Sequence, residues 1–263
     1  GLVSNSLGNP VNEVRGCAFA NSHNYGLFAR GTRSLRMLGN VMHRPARSGV
    51  EIDSRCTNAT LRNNLIVGVR RSVDAAKNWA VPRAGFALNA VPAEASGNVV
   101  GGSHDAGFTV RMPWCTTPGV PITASPYSNN EAHGTIIGAF LLSDVSGQSR
   151  QDRCRQWNSF VTWKAAHIGI VTVDQSANLI LDNVHVFDSH IGVSLNFLRM
   201  GTSASFAHVM NSVIAGSTDA STCDASVACR AVDATDVVPV RCNSVLGSKF
   251  RRAGLMSSQY TNR

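Results

Sequence analysis

Short alternations of apolar and polar positions run along most of the chain and carry its strongest structural signal. The stretch from Ile168 to Leu195 is the clearest case. It places apolar pairs at Ile168/Ile170, Val171/Val173, Leu179/Leu181 and Val184/Val186, and a triplet at Ile191/Val193/Leu195. Polar groups such as Asp174-Gln175-Ser176 and Asp188-Ser189-His190 divide them. A period of two predicts strands, because successive side chains on a strand point to opposite faces. Helices would need apolar residues at i, i+3, i+4 and i+7, and no stretch sustains that pattern.

These short strands recur with a fixed spacing. Gly169 and Gly192 lie 23 residues apart, as do Gly26 and Gly49. Asn183 and Asn40 each stand 14 residues after the first glycine and nine before the second, and Asn98 precedes Gly107 by the same nine. A period of this length marks a solenoid, whose single coil cannot bury its own apolar face and must stack on its neighbours. Leucine-rich repeats share the length but require several Leu at fixed offsets, which are absent. The pattern predicts an all-β fold, a right-handed parallel β-helix with coils of roughly 23 residues and loop insertions. Its predicted coil glycines are Gly26, Gly49, Gly107, Gly169 and Gly192, at positions needing either positive φ or a close approach between coils. Its predicted asparagine row is Asn40, Asn64, Asn98, Asn183 and Asn211, whose carboxamides would hydrogen-bond along the stack at spacings of about 4.8 Å. Cys17, nine residues before Gly26, occupies the row's position in an early coil.

On this reading residues 1–215 form the β-helix, with excursions at about 72–94 and 111–127. The first is Ala-rich with two prolines, and the second holds prolines 113, 118 and 121 with Pro126 near its end, too many for a central strand. Residues 216–263 lose the period, contain three cysteines and form a C-terminal extension. The abrupt start at Gly1 and the lack of an evident polar cap suggest a fragment of a larger protein.

Composition narrows the function classes. Charged residues make up 15% and apolar residues 43% of the 263, which suits a packed scaffold and excludes disorder. The net charge of +8 comes from 21 Arg against three Lys, scattered along the chain. Acidic glycans are therefore candidate partners, whereas a nucleic-acid module would need a basic run with interleaved aromatics. No apolar run is long enough to span a bilayer, so no membrane contact is expected from this segment. The seven cysteines form no CxxC pair and no Cys/His ligand spacing, so neither a metal nor another cofactor is expected. The sequon Asn58-Ala59-Thr60 marks a candidate N-glycosylation site compatible with export.

Several blocks resemble the fibrocystin (polyductin) and fibrocystin-like family. GCAFANSHNYGLFARGT with LGNV, GNVVGGSHDAGFTV, SNNEAHGTIIG, and FVTWKAAHIGI followed by LILDNVHVFDSHIGV match its blocks in order across residues 14 to 215. The resemblance implies an extracellular β-helical segment of a large cell-surface glycoprotein, often ciliary or flagellar, whose partners are other segments of the same protein or of a surface assembly. It also implies a disulfide between Cys115 and Cys154. More distant relatives include the cell-surface hyaluronidases, which raises a glycan-degrading alternative. An extracellular filament or coat is a third expectation.

An enzyme acting on polysaccharide would need two carboxylates at a defined separation, or an acidic calcium cluster with a base. The candidates are Asp105 with His104, Asp182, Asp188 with His190, and Glu131 with His133, and Trp114, Trp157 and Trp163 could stack on sugars. Each is better explained as a turn, loop or core residue, so no catalytic residue is assigned and a scaffold is expected.

Overall fold

The computed structural model of the protein describes residues 2–4, 12–70, 83–115, 125–142, 154–175, 178–198, 207–215 and 253–260. The described residues are all-β and their sheets are parallel. The chain visits three sheets, A, B and C, in turn, and each circuit is one coil. The first comprises β1 (Leu2–Ser4), β2 (Asn12–Arg15) and β3 (Ala18–Ala20), and the second β4 (Leu27–Ala29), β5 (Leu35–Leu38) and β6 (Val41–His43). The third holds β7 (Val50–Ile52), β8 (Thr60–Arg62) and β9 (Leu65–Val67). The fourth holds β10 (Ala84–Leu88), β11 (Glu94–Ser96) and β12 (Val99–Gly101), and the fifth β13 (Ala106–Arg111), β14 (Tyr127–Ser128) and β15 (Asn130–His133). In the sixth and seventh coils B and C merge into one long strand: β16 (Ile137–Leu142) leads to β17 (Cys154–Trp163), and β18 (Ile168–Gln175) to β19 (Asn178–Phe187). The stack ends with β20 (Ile191–Leu198), β21 (Ala207–Met210), β22 (Val213–Ile214) and β23 (Ala253–Tyr260).

Every strand pairs in parallel with its equivalent one coil away, giving nine-stranded sheets A and C and a five-stranded sheet B. Register keeps like on like. In sheet A, Phe86 pairs with Val50 and Phe108, and in sheet C, Ile66 pairs with Met42 and Val100. Inward positions from all three sheets fill one continuous core, including Leu27, Met37, Ile66, Phe108, Tyr127 and Trp157, each at most 1% exposed. Alternation along each strand sends the intervening residues outward.

Two corners are set by left-handed residues. One set, Gly16, Gly39, Asn63, Gly97, Asn129, Ser159, Asn183 and Asn211, has φ between 48° and 62° and marks the turn from B toward C. A second set, Asn21, Arg44, Gly68, Gly102, Gly134, Lys164 and Asp188, closes the C strands. The glycines opening the A strands do something else. Their φ is not positive, but a Cβ on Gly49 would come within 2.5 Å of Ile66 and one on Gly107 within 2.5 Å of the Ala132 Cβ. Gly26, Gly85, Gly138 and Gly169 meet Met42, Val100, Thr162 and Val186 in the same way. At these six positions the C-strand side chain fills the space over the A-strand glycine, so of the two roles considered, close approach is the one seen at Gly26, Gly49, Gly107 and Gly169. Gly85 and Gly138 belong to this column and were not singled out by the spacing.

Several boundaries differ from the sequence expectation. Strand β10 lies inside the stretch 72–94 read as an excursion, and Glu94 is already in β11; residues 71–82 are outside the described residues. Of the excursion 111–127, residues 116–124 are likewise outside them, and Tyr127 returns to sheet B. Within the stretch 216–263 read as an extension, residues 253–260 form β23, paired with β20. Cys223, Cys229 and Cys242 lie outside the described residues. Cys115 and Cys154 form a disulfide, with Cα atoms 5.3 Å apart, that ties the beginning of the proline-rich excursion to β17.

Candidate functional site

The most ordered polar feature of the molecule is buried. Asn40, Asn64, Asn98 and Asn130 stack at the turn from B to C, each at most 1% exposed. The Oδ1 of Asn64 accepts from the backbone N–H (3.0 Å) and from Nδ2 (2.9 Å) of Asn40, and its own Nδ2 donates to Met37 O and Asn98 Oδ1. Asn98 repeats this geometry toward Leu61 and Asn130. The row starts at Cys17, whose N–H donates to Asn40 Oδ1 at 3.0 Å, and Asn130 donates to Ala95 O at 2.8 Å. Two partners on each side satisfy each inner carboxamide, the condition under which a buried polar group does not cost stability.

Asn183 and Asn211 stand outside this row. Both are exposed and have positive φ, at the corner one residue earlier; Asn183 donates to Ser159 Oγ at 3.3 Å and Asn211 to Asp182 Oδ1 at 2.8 Å. Register puts Phe160 opposite Asn130 and Val184 opposite Phe160, so apolar side chains take the row's position in the sixth and seventh coils, and Ser212 follows, its Oγ accepting from the Val184 N–H at 3.1 Å. Asn130, the second residue of the pair Asn129-Asn130, is the member that the glycine spacing did not reach.

The three outer faces differ in chemistry. Sheet B is charged: Arg15 and Arg36 flank Glu13 at 3.0 and 3.8 Å, and Arg62 pairs with Glu94 through both its Nε and NH2 groups. The hydrogen bond from Arg62 is the main cause holding the Glu94 carboxyl below its ordinary range. On sheet A, Tyr25 stacks on Phe28 at 5.0 Å under the Arg47 guanidinium, and burial pushes the Glu51 carboxyl beside them upward despite Arg47. Sheet C is largely apolar. Four of the five exposed large hydrophobic residues among those described, Val41, Leu65, Val67 and Val213, lie on its outer side, and Trp114 is the fifth.

On that same side of sheet C, Glu131, His133 and Trp163 form a compact group. Glu131 Oε1 is 2.9 Å from His133 Nδ1 and accepts from Trp163 Nε1 at 2.8 Å, while the two rings stack at 4.4 Å. His133 also lies over Gly101, where a Cβ would come within 3.0 Å of its Nε2. The stack follows the strand repeat, so one face of the Trp163 ring is covered by His133.

The other carboxylates considered for chemistry lie elsewhere. Asp105 is at the corner from C to A, where its carbonyl accepts from the N–H groups of Ile136 and Ile137, and the neighbouring His104 N–H donates to Val69 O. Asp182 is engaged by Asn211, and Asp188 is a left-handed corner residue with φ 51°. His190 stacks near His167 at 6.3 Å between ring centres, and burial, followed by the charge of His190, lowers the His167 pKa. Trp157 is fully buried against Tyr127, and Trp114 lies 3.5 Å under the buried Arg155 guanidinium. Among the described residues Asp105 and Asp188 share the corner from C to A but stand three coils apart, Asp182 lies at the turn from B to C, and Glu131 lies on the outer side of sheet C.

No family model matches the chain, and no solved structure matches it. Similarity extends to fibrocystin of Canis lupus familiaris, 26% identical over 171 residues, which is 64% of this chain and 4% of that protein. The chain therefore spans a small part of the length of the curated relative it matches, and the similarity gives a distant family suggestion that does not extend to the hyaluronidases.

Proposed function

We propose that the chain is a right-handed parallel β-helical segment of a large fibrocystin-like cell-surface protein, extracellular and non-catalytic, whose work is to supply rigid length and lateral contact. Right-handedness follows from the strong preference of crossovers between parallel strands. The observation that carries the scaffold reading is where the polar side chains are used. The most extensively bonded ones are consumed in a buried row between coils, while the surface carboxylates are dispersed over corners and faces. A disulfide tying an insertion to the stack fits an oxidising compartment, and the similarity to fibrocystin supports placement at a cell surface. Contacts would be to other segments of the same protein or to an assembly around it, with arginine-bearing faces available to acidic glycans.

Two measurements test this reading. Antibody raised to the segment should label intact, unpermeabilised cells; label reached only after permeabilisation overturns the location. Purified protein should leave hyaluronan, chondroitin sulfate and polygalacturonate at their starting length, whereas turnover abolished by Glu131→Gln would replace the scaffold with an enzyme centred on Glu131 and His133.

A further inference from the structure

The turn from sheet A to sheet B in the third coil carries the chain's one sequon, Asn58-Ala59-Thr60. Its geometry sets the three residues apart. Ala59 and Leu61 are buried at 2% and 0%, which fixes the phase of β8 and sends Asn58 and Thr60 outward. Asn58 is exposed with φ 54°, a left-handed corner conformation that asparagine tolerates. Its Nδ2 has only a long contact, 3.5 Å, to Ser34 Oγ in the coil below, so the amide is not held in the network that buries the asparagine row. The Cys115–Cys154 bridge is a second, independent observation, because disulfides form in the compartment where N-glycans are transferred.

We infer that Asn58 is an N-glycosylation site, an inference that rests on the extracellular reading above. An oligosaccharide passes from a polyprenyl-pyrophosphate carrier to Asn58 Nδ2. The sugar C1–O bond to pyrophosphate breaks, the C1–N bond forms, and one amide proton leaves with the released pyrophosphate. Folding then sets where the glycan stands. In a coil with three sides, the corner between A and B is the one turned away from sheet C. The glycan hydrates the side next to the charged face of sheet B and leaves the apolar outer side of sheet C uncovered for protein contact.

The test uses the full 263-residue chain directed into the secretory pathway of a eukaryotic cell, with total chain recovered whether or not it is secreted. Peptide-N-glycosidase should produce a single mobility step, and mass mapping should find aspartate at position 58 after release. Thr60→Ala should abolish the step with Asn58 still in place, and Thr60→Ser should retain it. An unmodified Asn58 peptide in the wild-type chain overturns the inference, as does a step that survives Thr60→Ala. Peptide mapping without reduction on the same sample separates the two claims. A formed Cys115–Cys154 bridge with bare Asn58 defeats the glycan alone, and an absent bridge counts against the extracellular reading itself.

Discussion

The lower and upper coils solve the same corner with opposite chemistry. From Asn40 to Asn130 the turn from B to C is built on buried carboxamides, and Asn40, Asn64 and Asn98 are each bonded to the coil below and the coil above. From Phe160 to Val184 the same register position is apolar, both side chains are fully buried, and β17 and β19 run through the corner as continuous ten-residue strands. The change coincides with a set of aromatics at the junction. Phe108 meets Phe160 edge-on at 5.4 Å, Trp157 meets Phe160 at 5.3 Å, and Tyr127 stacks on Trp157 at 4.9 Å. A carboxamide row is directional and has value only if it is unbroken, because each member satisfies the next. Apolar stacking has no such requirement, so the upper coils can vary residue by residue.

That difference can be broken from the lower side. Asn64→Leu keeps the volume but strips partners from the Asn40 N–H, the Asn40 Nδ2 and the Met37 carbonyl. At about 1–3 kcal/mol for each orphaned buried group, the expected loss is on the order of 4 kcal/mol, read as a lower urea midpoint. Val184→Ala in the upper coils should cost about 2 kcal/mol, for lost methyl burial and a small cavity. An Asn64→Leu variant as stable as wild type would mean that the row is tolerated rather than stabilising.

The glycines sharpen the comparison at a smaller scale. Gly107→Ala forces a Cβ against the Ala132 Cβ and, at 2.8 Å, the Gly138 carbonyl, an overpacking worth roughly 1–3 kcal/mol. Gly39→Ala meets nothing within 4 Å and costs only the left-handed conformation, about 1 kcal/mol. Equal losses in thermal melts would deny that the two glycine columns differ in cause.

How far this was legible in sequence depends on what two residues can share. Asn40, Asn64 and Asn98 were found from spacing because their coils keep nine residues, or an insertion plus a recognisable restart, between asparagine and glycine. Asn183 matched the same numbers for a different reason. Gly169 and Gly192 are also 23 apart, but there the row position is Val184, so the coil is one residue longer before it and one shorter after it. Two opposite single-residue changes cancelled in the period and shifted the assignment onto the left-handed corner. Asparagine suits both places, since its carboxamide can bond in a row and its backbone tolerates positive φ. Asn130 was hidden by the proline-rich excursion preceding it. The contact among Glu131, His133 and Trp163 could be read only in part: residues 131 and 133 share a strand face, but Trp163 joins them through register one coil away.

In the upper coils the corner from C to A carries a pH effect. Burial, followed by the charge of His190, lowers the His167 pKa, so the unfolded chain binds a proton more readily than the folded one. Stability from this group is therefore complete above about pH 6.5 and falls as pH drops through that value toward the lower folded pKa. His167→Asn should flatten the dependence of the urea midpoint on pH below about 6.5, and a slope left unchanged would assign it to another group.

The smallest effect is expected where the structure looks most bonded from outside. Arg62 and Glu94 make a two-point contact on sheet B, yet Arg62 is exposed, and water competes for both partners. Arg62→Ala should leave the urea midpoint unchanged within measurement error at moderate salt, because the side-chain entropy regained offsets a screened attraction. A clear loss at low salt that vanishes at high salt would show that the charged face adds Coulombic stability. A loss that persists at high salt would point instead to the arginine stem packing across the coils, and would make sheet B a contributor to the stack on the same footing as the buried row.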